Sequence, residues 1–257
     1  MTTLSTPFEL YLPPQQDGGG LDQDEEWCEV ELDGERRRIR FHDYAAIYDV
    51  PGLYEHLFAE LLECSSPEVV SNLLGAELDD AGIDAAALTA LDFGAGNGMV
   101  AERLAELDVD RIVGIDLLPE ARDAALRDRP GLYDDYLAVD IGDLSHRDRA
   151  DLEGRGFNLM TCVAALGFGD IPPAAFAEAF NLVSSPGWIA FNLRERFLDD
   201  PRPGGFGAFI NRMLDEGVLE ERARVSYTHR MSCAGEPLTY LALVATKHRD
   251  VPLDWTR

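Results

Sequence analysis

Lysine is almost absent from this sequence. The basic residues number 22 against 48 acidic ones, the formal net charge is −26, and Lys247 is the single lysine. No glycine-rich stretch has a lysine beside it, which argues against a Walker phosphate loop, and Schiff-base chemistry would need an amine in a pocket. The acidic excess repels phosphate backbones and anionic lipid surfaces, so nucleic acid is not expected as a partner.

Long apolar runs and paired cysteines are missing as well. No stretch approaches the roughly 20 apolar residues of a membrane helix, and the polar, proline-containing start has no signal-peptide core. The cysteines are far apart, without a CxxC pair or a histidine at ligand spacing, so no metal site is expected. These absences predict a soluble, cytoplasmic protein with no membrane partner and with reduced cysteines at Cys28, Cys64, Cys162 and Cys233.

The N-terminal third of the chain predicts two regions. Residues 1–26 mix proline, glycine and acidic residues without periodicity, which is typical of a flexible arm. Residues 27–85 begin with alternating apolar residues on either side of Asp33-Gly34, a dipeptide that favours a hairpin with a type I′ turn. Helical spacing of leucines then predicts a helical cap.

Residues 86–250 form a third predicted region, in which apolar runs alternate with amphipathic segments. This alternation is typical of an α/β domain with a parallel sheet wrapped by helices on both sides. The last two strand-like runs have no helix between them, which favours an antiparallel hairpin at one edge of the sheet.

A glycine-rich turn, "LDFGAGNG", joins the first of these runs to a helix that begins near Met99. A dinucleotide fingerprint would read GxGxxG, but the spacing here is GxGxG and Met99 occupies the third position. The next run ends in Asp116, twenty residues after Gly96, where a carboxylate can accept both ribose hydroxyls of an adenosine cofactor. A helix cap or a strand-end turn is the structural alternative for Asp116.

Several motifs occur in the order found in one family. "LDFGAGNG", "VGIDLLPEARDAA", "YLAVDIGDL" and "GWIAFNLRERF", followed by the terminal hairpin, resemble class I S-adenosylmethionine-dependent methyltransferases over about Tyr44 to His248. Residues 157–197 resemble the methyltransferase-like proteins of the Williams-Beuren region group. The resemblance implies a seven-stranded, mostly parallel, doubly wound sheet of the Rossmann-like type, with the N-terminal hairpin and helical cap added.

The resemblance also implies which residues hold the methionine half of S-adenosylmethionine. Asp92 would organise the glycine turn, and the strand-four segment from Cys162 would pass under the sulfonium. One departure is Asn158, where many relatives have an acidic residue at the start of that strand. The implied methionine-side residues are Asp92, Gly94, Ala95, Gly96, Cys162 and Val163.

The nucleoside half is assigned in the same way. Asp116 would hold the ribose, and Leu117 would flank the adenine. Asp140 would accept a hydrogen bond from the adenine amine, while Ile141 would offer a backbone donor to the ring. Tyr48 matches the tyrosine of a "YD" pair in a helix that relatives fold over the cofactor.

Four residues are candidates for work on the methyl acceptor: His42, His229, Tyr48 and Arg194. For each of them a plain surface or core role is the alternative, and a general base is optional when the acceptor is acidic. The glycine-rich loop 198–209 could be either a lid or a plain surface loop.

The leading hypothesis is direct in-line transfer of a methyl group from S-adenosylmethionine to an O, N or C nucleophile of a small molecule, by a monomer or homodimer. A nicotinamide-dependent oxidoreductase is an alternative, opposed by Met99 and by the lack of a Tyr-x-x-x-Lys pair. A non-catalytic S-adenosylmethionine-binding module is the third hypothesis.

Overall fold

The chain divides into two units. The computed structural model describes residues 8–13, 21–166, 169–198 and 205–256. The first unit comprises Met1–Ser65 and Thr228–Leu238, and the second comprises Ser66–Tyr227 and Thr239–Arg257. The sequence grouped residues 66–85 with the N-terminal region, whereas here the helix Ser66–Ala81 belongs to the second unit.

A three-stranded antiparallel sheet begins the first unit. Its strands, in spatial order, are β1 (Glu9–Tyr11), β2 (Trp27–Leu32) and β3 (Glu35–Arg40). Asp33 and Gly34, which join β2 to β3, have φ angles of 53° and 79°. Positive φ at both positions is the geometry of a type I′ turn, so the predicted N-terminal hairpin is confirmed.

The expectation of a flexible arm over 1–26 differs from the structure where that segment is described. β1 pairs with Glu29–Glu31 of β2, and the Phe8 side chain is buried in the core of the unit. Three residues are too few to show an alternating pattern, yet pairing with β2 and one buried ring suffice to order them. Residues 1–7 and 14–20 lie outside the described part.

The first unit continues with a short helix α1 (Tyr44–Tyr48) and a π-helical segment, Glu55–Leu61. A buried ion pair joins the two chain segments of this unit, because the Arg230 guanidinium donates to Glu26 at 2.5 Å. The second oxygen of Glu26 accepts from the Cys233 backbone N–H at 2.6 Å. Both charges are therefore paired, as burial requires.

The second unit contains a seven-stranded sheet in the order β6-β5-β4-β7-β8-β10-β9. The first five of these strands are parallel to their neighbours, while β10 pairs antiparallel with β8. This topology confirms the predicted class I methyltransferase fold, including the edge formed by the last two strands. The strands are β4 (Thr89–Phe93), β5 (Arg111–Asp116), β6 (Asp135–Ala138), β7 (Leu159–Cys162), β8 (Gly187–Arg194), β9 (Leu219–Met231) and β10 (Pro237–Lys247).

Helices cover both faces of this sheet. Successive residues of β4 belong to different cores, with Leu91 in one hydrophobic cluster and Ala90 in the other, because side chains alternate along a strand. No helix among the described residues is long and apolar enough to cross a membrane. The helices are α2 (Ser66–Ala81), α3 (Met99–Glu106), α4 (Pro119–Asp128), α5 (His146–Glu153), α6 (Pro173–Asn181), α7 (Glu195–Leu198) and α8 (Phe206–Asp215).

The chain runs outward in both directions from the centre of the sheet. β4, β5 and β6 follow one another to one side, and β7 and β8 lie on the other. The switch point therefore falls between β4 and β7, and open α/β sheets bind ligands at the carboxyl ends of strands beside such a point.

The single lysine has a structural place in this unit. Lys247 is fully buried at the end of β10, where its Nζ donates to the carbonyls of Phe180 and Val183 at 2.9 and 2.5 Å. Asp250 pairs with it at 2.7 Å. Burial lowers the lysine pKa, and Asp250 acts in the opposite direction. The ammonium thus satisfies carbonyls at the end of α6.

We expect Lys247→Met to lower the free energy of unfolding by about 2–4 kcal/mol, because two buried carbonyls lose their donor. Urea unfolding near neutral pH measures the change. Arg249→Met is the matched control, since Arg249 is an exposed cation two residues away and its loss should cost less than about 1 kcal/mol. Equal losses in the two variants would contradict the structural role.

Candidate functional site

The glycine turn lies at the carboxyl end of β4, beside the switch point. Backbone N–H groups of Gly94 and Ala95 both donate to the Ile115 carbonyl, at 2.8 and 3.2 Å. The Gly96 N–H donates to Oδ2 of Asp116 at 2.9 Å. Three consecutive amides therefore bind the end of β5, which holds the turn against the neighbouring strand.

Gly94 cannot be replaced without disturbing this turn. Its φ is 73°, which disfavours a side chain, and an added Cβ would lie 2.8 Å from the Cβ of Ala165 and 3.1 Å from Cδ1 of Ile171. The backbone of the turn and the segment after β7 are thus packed as closely as glycine allows.

Asp116 connects two turns. While Oδ2 accepts from Gly96, Oδ1 accepts from the Leu118 N–H at 3.0 Å. Burial raises the pKa of Asp116, and backbone hydrogen bonds from Leu118, Gly96 and Leu117 oppose that shift. An ionised carboxylate has about four acceptor sites, so these amides leave part of its acceptor capacity for a ligand. The adjacent Leu117 is 60% exposed.

Asp92 is buried at the end of β4, with 1% of its surface exposed. Its oxygens accept from the Tyr133 hydroxyl at 2.8 Å and from Oγ1 of Thr161 at 2.9 Å. Burial raises the pKa of Asp92 to about 6, against the effect of these two hydroxyls. Asp92 bonds the side chains of Tyr133 and Thr161, and the Tyr133 ring lies against Gly98 of the glycine turn.

Three side chains that the sequence did not single out bond or pack against the turn: Tyr133, Tyr136 and Arg129. The Tyr136 hydroxyl donates to the Gly96 carbonyl at 2.7 Å, and Nη1 of Arg129 donates to the Asn97 carbonyl at 3.2 Å. The rings of Tyr133 and Tyr136 meet edge to face, with centroids 5.0 Å apart.

Gly114, inside β5, makes room for these rings. An added Cβ there would lie 2.8 Å from Cδ2 of Tyr136 and 2.9 Å from Cε1 of Tyr133. An isolated glycine within a strand often marks a close approach of another group. Gly114 was therefore the sequence signal that could have indicated the packing of Tyr133 and Tyr136 at this position.

The remaining cofactor candidates of the second unit follow other strands at the same edge. After β6, the exposed Asp140 accepts from the Gly142 N–H at 2.9 Å and Ile141 is buried. Cys162 ends β7 and Val163 follows it, both buried. Burial raises the pKa of the Cys162 thiol well above its usual range. Arg194, a candidate for the acceptor, ends β8.

Three candidates belong to the first unit. Tyr48 stacks on Tyr54 with ring centroids 5.0 Å apart, and His42 meets Tyr44 edge to face at 5.6 Å. His229 is buried, which lowers its pKa to about 3, and its Nδ1 lies 3.7 Å from Sγ of Cys64. His229 is therefore a neutral imidazole at pH 7, and the roles of these residues toward a ligand stay predictions.

Asn158 forms hydrogen bonds with two backbone groups. Oδ1 of Asn158 accepts from the Thr89 N–H at 2.7 Å, and its Nδ2 donates to the Ala87 carbonyl at 3.2 Å. Asn158 therefore joins the starts of two strands, at the end opposite to the glycine turn.

The candidate lid is described only in part. Within the loop 198–209, residues 199–204 lie outside the described part, and α8 begins at Phe206.

Comparison with known families agrees with this fold. The model of the methyltransferase domain family matches residues 50–227, which include the glycine turn, Asp116, Asp140 and Cys162. The chain belongs to this family, in the class I fold whose cofactor is S-adenosylmethionine. The resemblance to the Williams-Beuren region group is a finer statement and stays a prediction.

Curated relatives match about half of the chain. The ubiquinone biosynthesis O-methyltransferase of Burkholderia ambifaria (strain MC40-6) is 31% identical over 140 residues, which are 54% of this chain and 59% of the relative. That of Thiobacillus denitrificans is 31% identical over 129 residues, or 50% and 54% of the two chains. The chain thus spans less than two thirds of these curated relatives.

Solved structures with similarity include the N-methyltransferase NodS from Bradyrhizobium japonicum WM9. It is 20% identical to this chain, with a TM-score of 0.49, and the match covers 71% of this chain and 96% of NodS.

We expect the buried Asp92 to make stability depend on pH. Its pKa of about 6 lies above the ordinary 3.8, so between these pH values the folded state binds a proton that the unfolded state does not. The stability gained from that proton is lost as the pH rises through about 6. Between about pH 5 and about pH 7, the free energy of unfolding of the wild type should fall by about 1–1.5 kcal/mol relative to that of Asp92→Asn, which cannot ionise.

Urea unfolding of both proteins across this pH range measures the difference. The exposed Asp80→Asn serves as the control for the general effect of one carboxylate fewer, and its difference from wild type should stay flat. A flat difference for Asp92→Asn as well would show that Asp92 does not take up a proton in this range.

Proposed function

We propose that this protein transfers a methyl group from S-adenosylmethionine to a nucleophilic O, N or C atom of a small molecule. The observation that carries the proposal is the glycine turn bound by Asp116 at the switch point of a methyltransferase-family sheet. The names of the curated relatives, which are O-methyltransferases, favour an oxygen acceptor.

The residues at the sheet edge fit such a cofactor. The turn has no lysine beside it, and S-adenosylmethionine has no pyrophosphate that would need one. Gly94 leaves no room for a side chain, so the backbone itself would form the binding surface. Asp116 keeps acceptor capacity for a ribose hydroxyl, and the exposed Leu117 would cover one face of the adenine.

In this proposal the chain binds and orients, while the bound sulfonium supplies an already activated methyl group. Gly94, Ala95 and Gly96 would follow the methionine half, and Asp140 with Ile141 would read the adenine edge. Cys162 and Val163 would form an apolar floor. Burial keeps the Cys162 thiol protonated at neutral pH, so this cysteine would not compete with the acceptor as a nucleophile.

The candidates for work on the acceptor stay those of the sequence: Tyr48, His42, His229 and Arg194. A pKa of about 3 makes His229 a weak base near pH 7, so in our proposal it shapes or orients and does not abstract a proton. Arg194 would serve an acceptor that carries an acidic group. The monomeric or homodimeric state and the cytoplasmic location stay predictions.

The two alternatives differ from the proposal in ligand and in turnover. For a nicotinamide enzyme, Met99 at the start of α3 replaces the glycine that its fingerprint requires. For a binding module, S-adenosylhomocysteine would bind but would never be formed.

Calorimetry with S-adenosylhomocysteine, and separately with NAD, tests the ligand class on the wild-type protein. We expect a saturable heat with the first compound and none with the second. Incubation with S-adenosylmethionine and a metabolite extract, followed by detection of S-adenosylhomocysteine, then separates an enzyme from a binding module.

A ribose-modified ligand isolates the role of Asp116. Because its carboxylate also holds Gly96 and Leu118, Asp116→Ala would disturb the turn as well as the ribose contact. The wild type should bind S-adenosylhomocysteine about tenfold more tightly than its 2′-deoxy analogue, and Asp116→Ala should abolish that preference. Asp110→Ala, at the exposed opposite end of β5, should retain it. A preference that survives in Asp116→Ala would assign the ribose to other residues.

A further inference from the structure

A buried polar cluster lies beside the segment that follows β7. Asn192, on β8, is fully buried, and its Nδ2 donates to Oγ of Ser66 at 3.0 Å and to the Tyr227 hydroxyl at 2.7 Å. The two hydroxyls are themselves 2.6 Å apart. Oδ1 of Asn192 accepts from the Ala164 N–H at 2.6 Å. We call Ser66, Asn192 and Tyr227 the Asn192 cluster.

The backbone that this cluster holds is strained. Ala164 has a φ of 56°, in the left-handed region, where a residue with a Cβ pays about 1–2 kcal/mol. Such a conformation persists only where the surroundings impose it. The Asn192 amide imposes it here, because its donors are fixed by two hydroxyls and its oxygen is therefore fixed toward the Ala164 N–H.

The strained residue is next to the glycine turn. Ala165 follows it directly, and the Cβ of Ala165 lies 2.8 Å from where a Cβ of Gly94 would be. A relaxed Ala164 would change the direction of the chain and move Ala165. The distance between the glycine turn and the segment Cys162–Ala165 thus depends on the conformation of one residue.

We propose that Asn192 is a positioning residue for the cofactor site. It holds Ala164 in the left-handed conformation and thereby fixes Cys162–Ala165 against the glycine turn in the arrangement that binds S-adenosylmethionine. This inference rests on the proposed function. Asn192 acts through the backbone of Ala164, without itself contacting the ligand.

A purely structural role makes a different prediction. A buried asparagine that only satisfies its neighbours would change stability when removed, but the folded fraction would bind ligand as before. The partly buried Asn181 provides the comparison, because its Oδ1 likewise accepts from a backbone N–H, that of Val251, while its Nδ2 donates to the Val251 carbonyl, at 2.9 Å each.

The test measures the affinity of S-adenosylhomocysteine by calorimetry, at a temperature where every variant is folded. We expect Asn192→Ala to weaken binding about tenfold or more, and Asn181→Ala to leave it within about twofold. The rescue substitution is Ala164→Gly, since glycine adopts a positive φ without cost. Combined with Asn192→Ala, it should restore affinity at least about threefold.

Equal affinities for Asn192→Ala and Asn181→Ala would overturn the proposal, as would a double variant no better than Asn192→Ala alone. Should Asn192→Ala not fold, Ser66→Ala removes one of the two anchors of the amide. It should weaken binding about threefold, again with recovery on adding Ala164→Gly.

Amide hydrogen exchange separates this proposal from the proposed function, because it needs no ligand. Asn192→Ala should speed exchange in peptides covering residues 91–98, whereas Asn181→Ala should not. Absence of S-adenosylhomocysteine binding by the wild type would contradict the proposed function. Unchanged amide exchange in the glycine turn of Asn192→Ala would contradict the positioning role.

Discussion

The Asp116 carboxylate is the constraint on which the candidate site depends. Parallel pairing of β4 with β5 aligns Phe93 with Ile115, so the turns that follow the two strands begin side by side. Asp116 then bonds a backbone amide of each turn, Gly96 in one and Leu118 in the other. One side chain thereby fixes the relative position of two loops, and each loop carries residues that the proposal assigns to one half of the cofactor.

The second carboxylate of the site, Asp92, is buried. Burial disfavours its ionised form, and the hydrogen bonds from the Tyr133 and Thr161 hydroxyls only partly offset this effect. The same Tyr133 packs against Gly98, and its neighbour Tyr136 bonds the Gly96 carbonyl. The turn is therefore held by the Asp116 carboxylate and by two tyrosines, in addition to the close packing that requires glycine at position 94.

The sequence was sufficient for the sheet of the second unit and for the turn that follows its first strand, because periodicity and glycine spacing are local signals. It placed the hairpin, the parallel sheet, the glycine turn and Asp116 correctly. It missed β1, which is three residues long and depends on pairing with β2. It also missed Tyr133, Tyr136 and Asn192, since their partners are 28 to 41 residues away for the glycine turn, Asp92 and Ala164. Those contacts exist only after the sheet has formed.

Charge gives a further reason to favour the proposed cofactor over a dinucleotide. Asp92 and Asp116 lie at one sheet edge of a chain with a net charge of −26, and the single lysine is buried at the end of β10. A field of this sign attracts a cationic sulfonium and repels a pyrophosphate. Methyl transfer removes the positive charge, because S-adenosylhomocysteine is a neutral thioether. The attraction is therefore weaker for the product than for the substrate, so the acidic excess would also favour release after transfer.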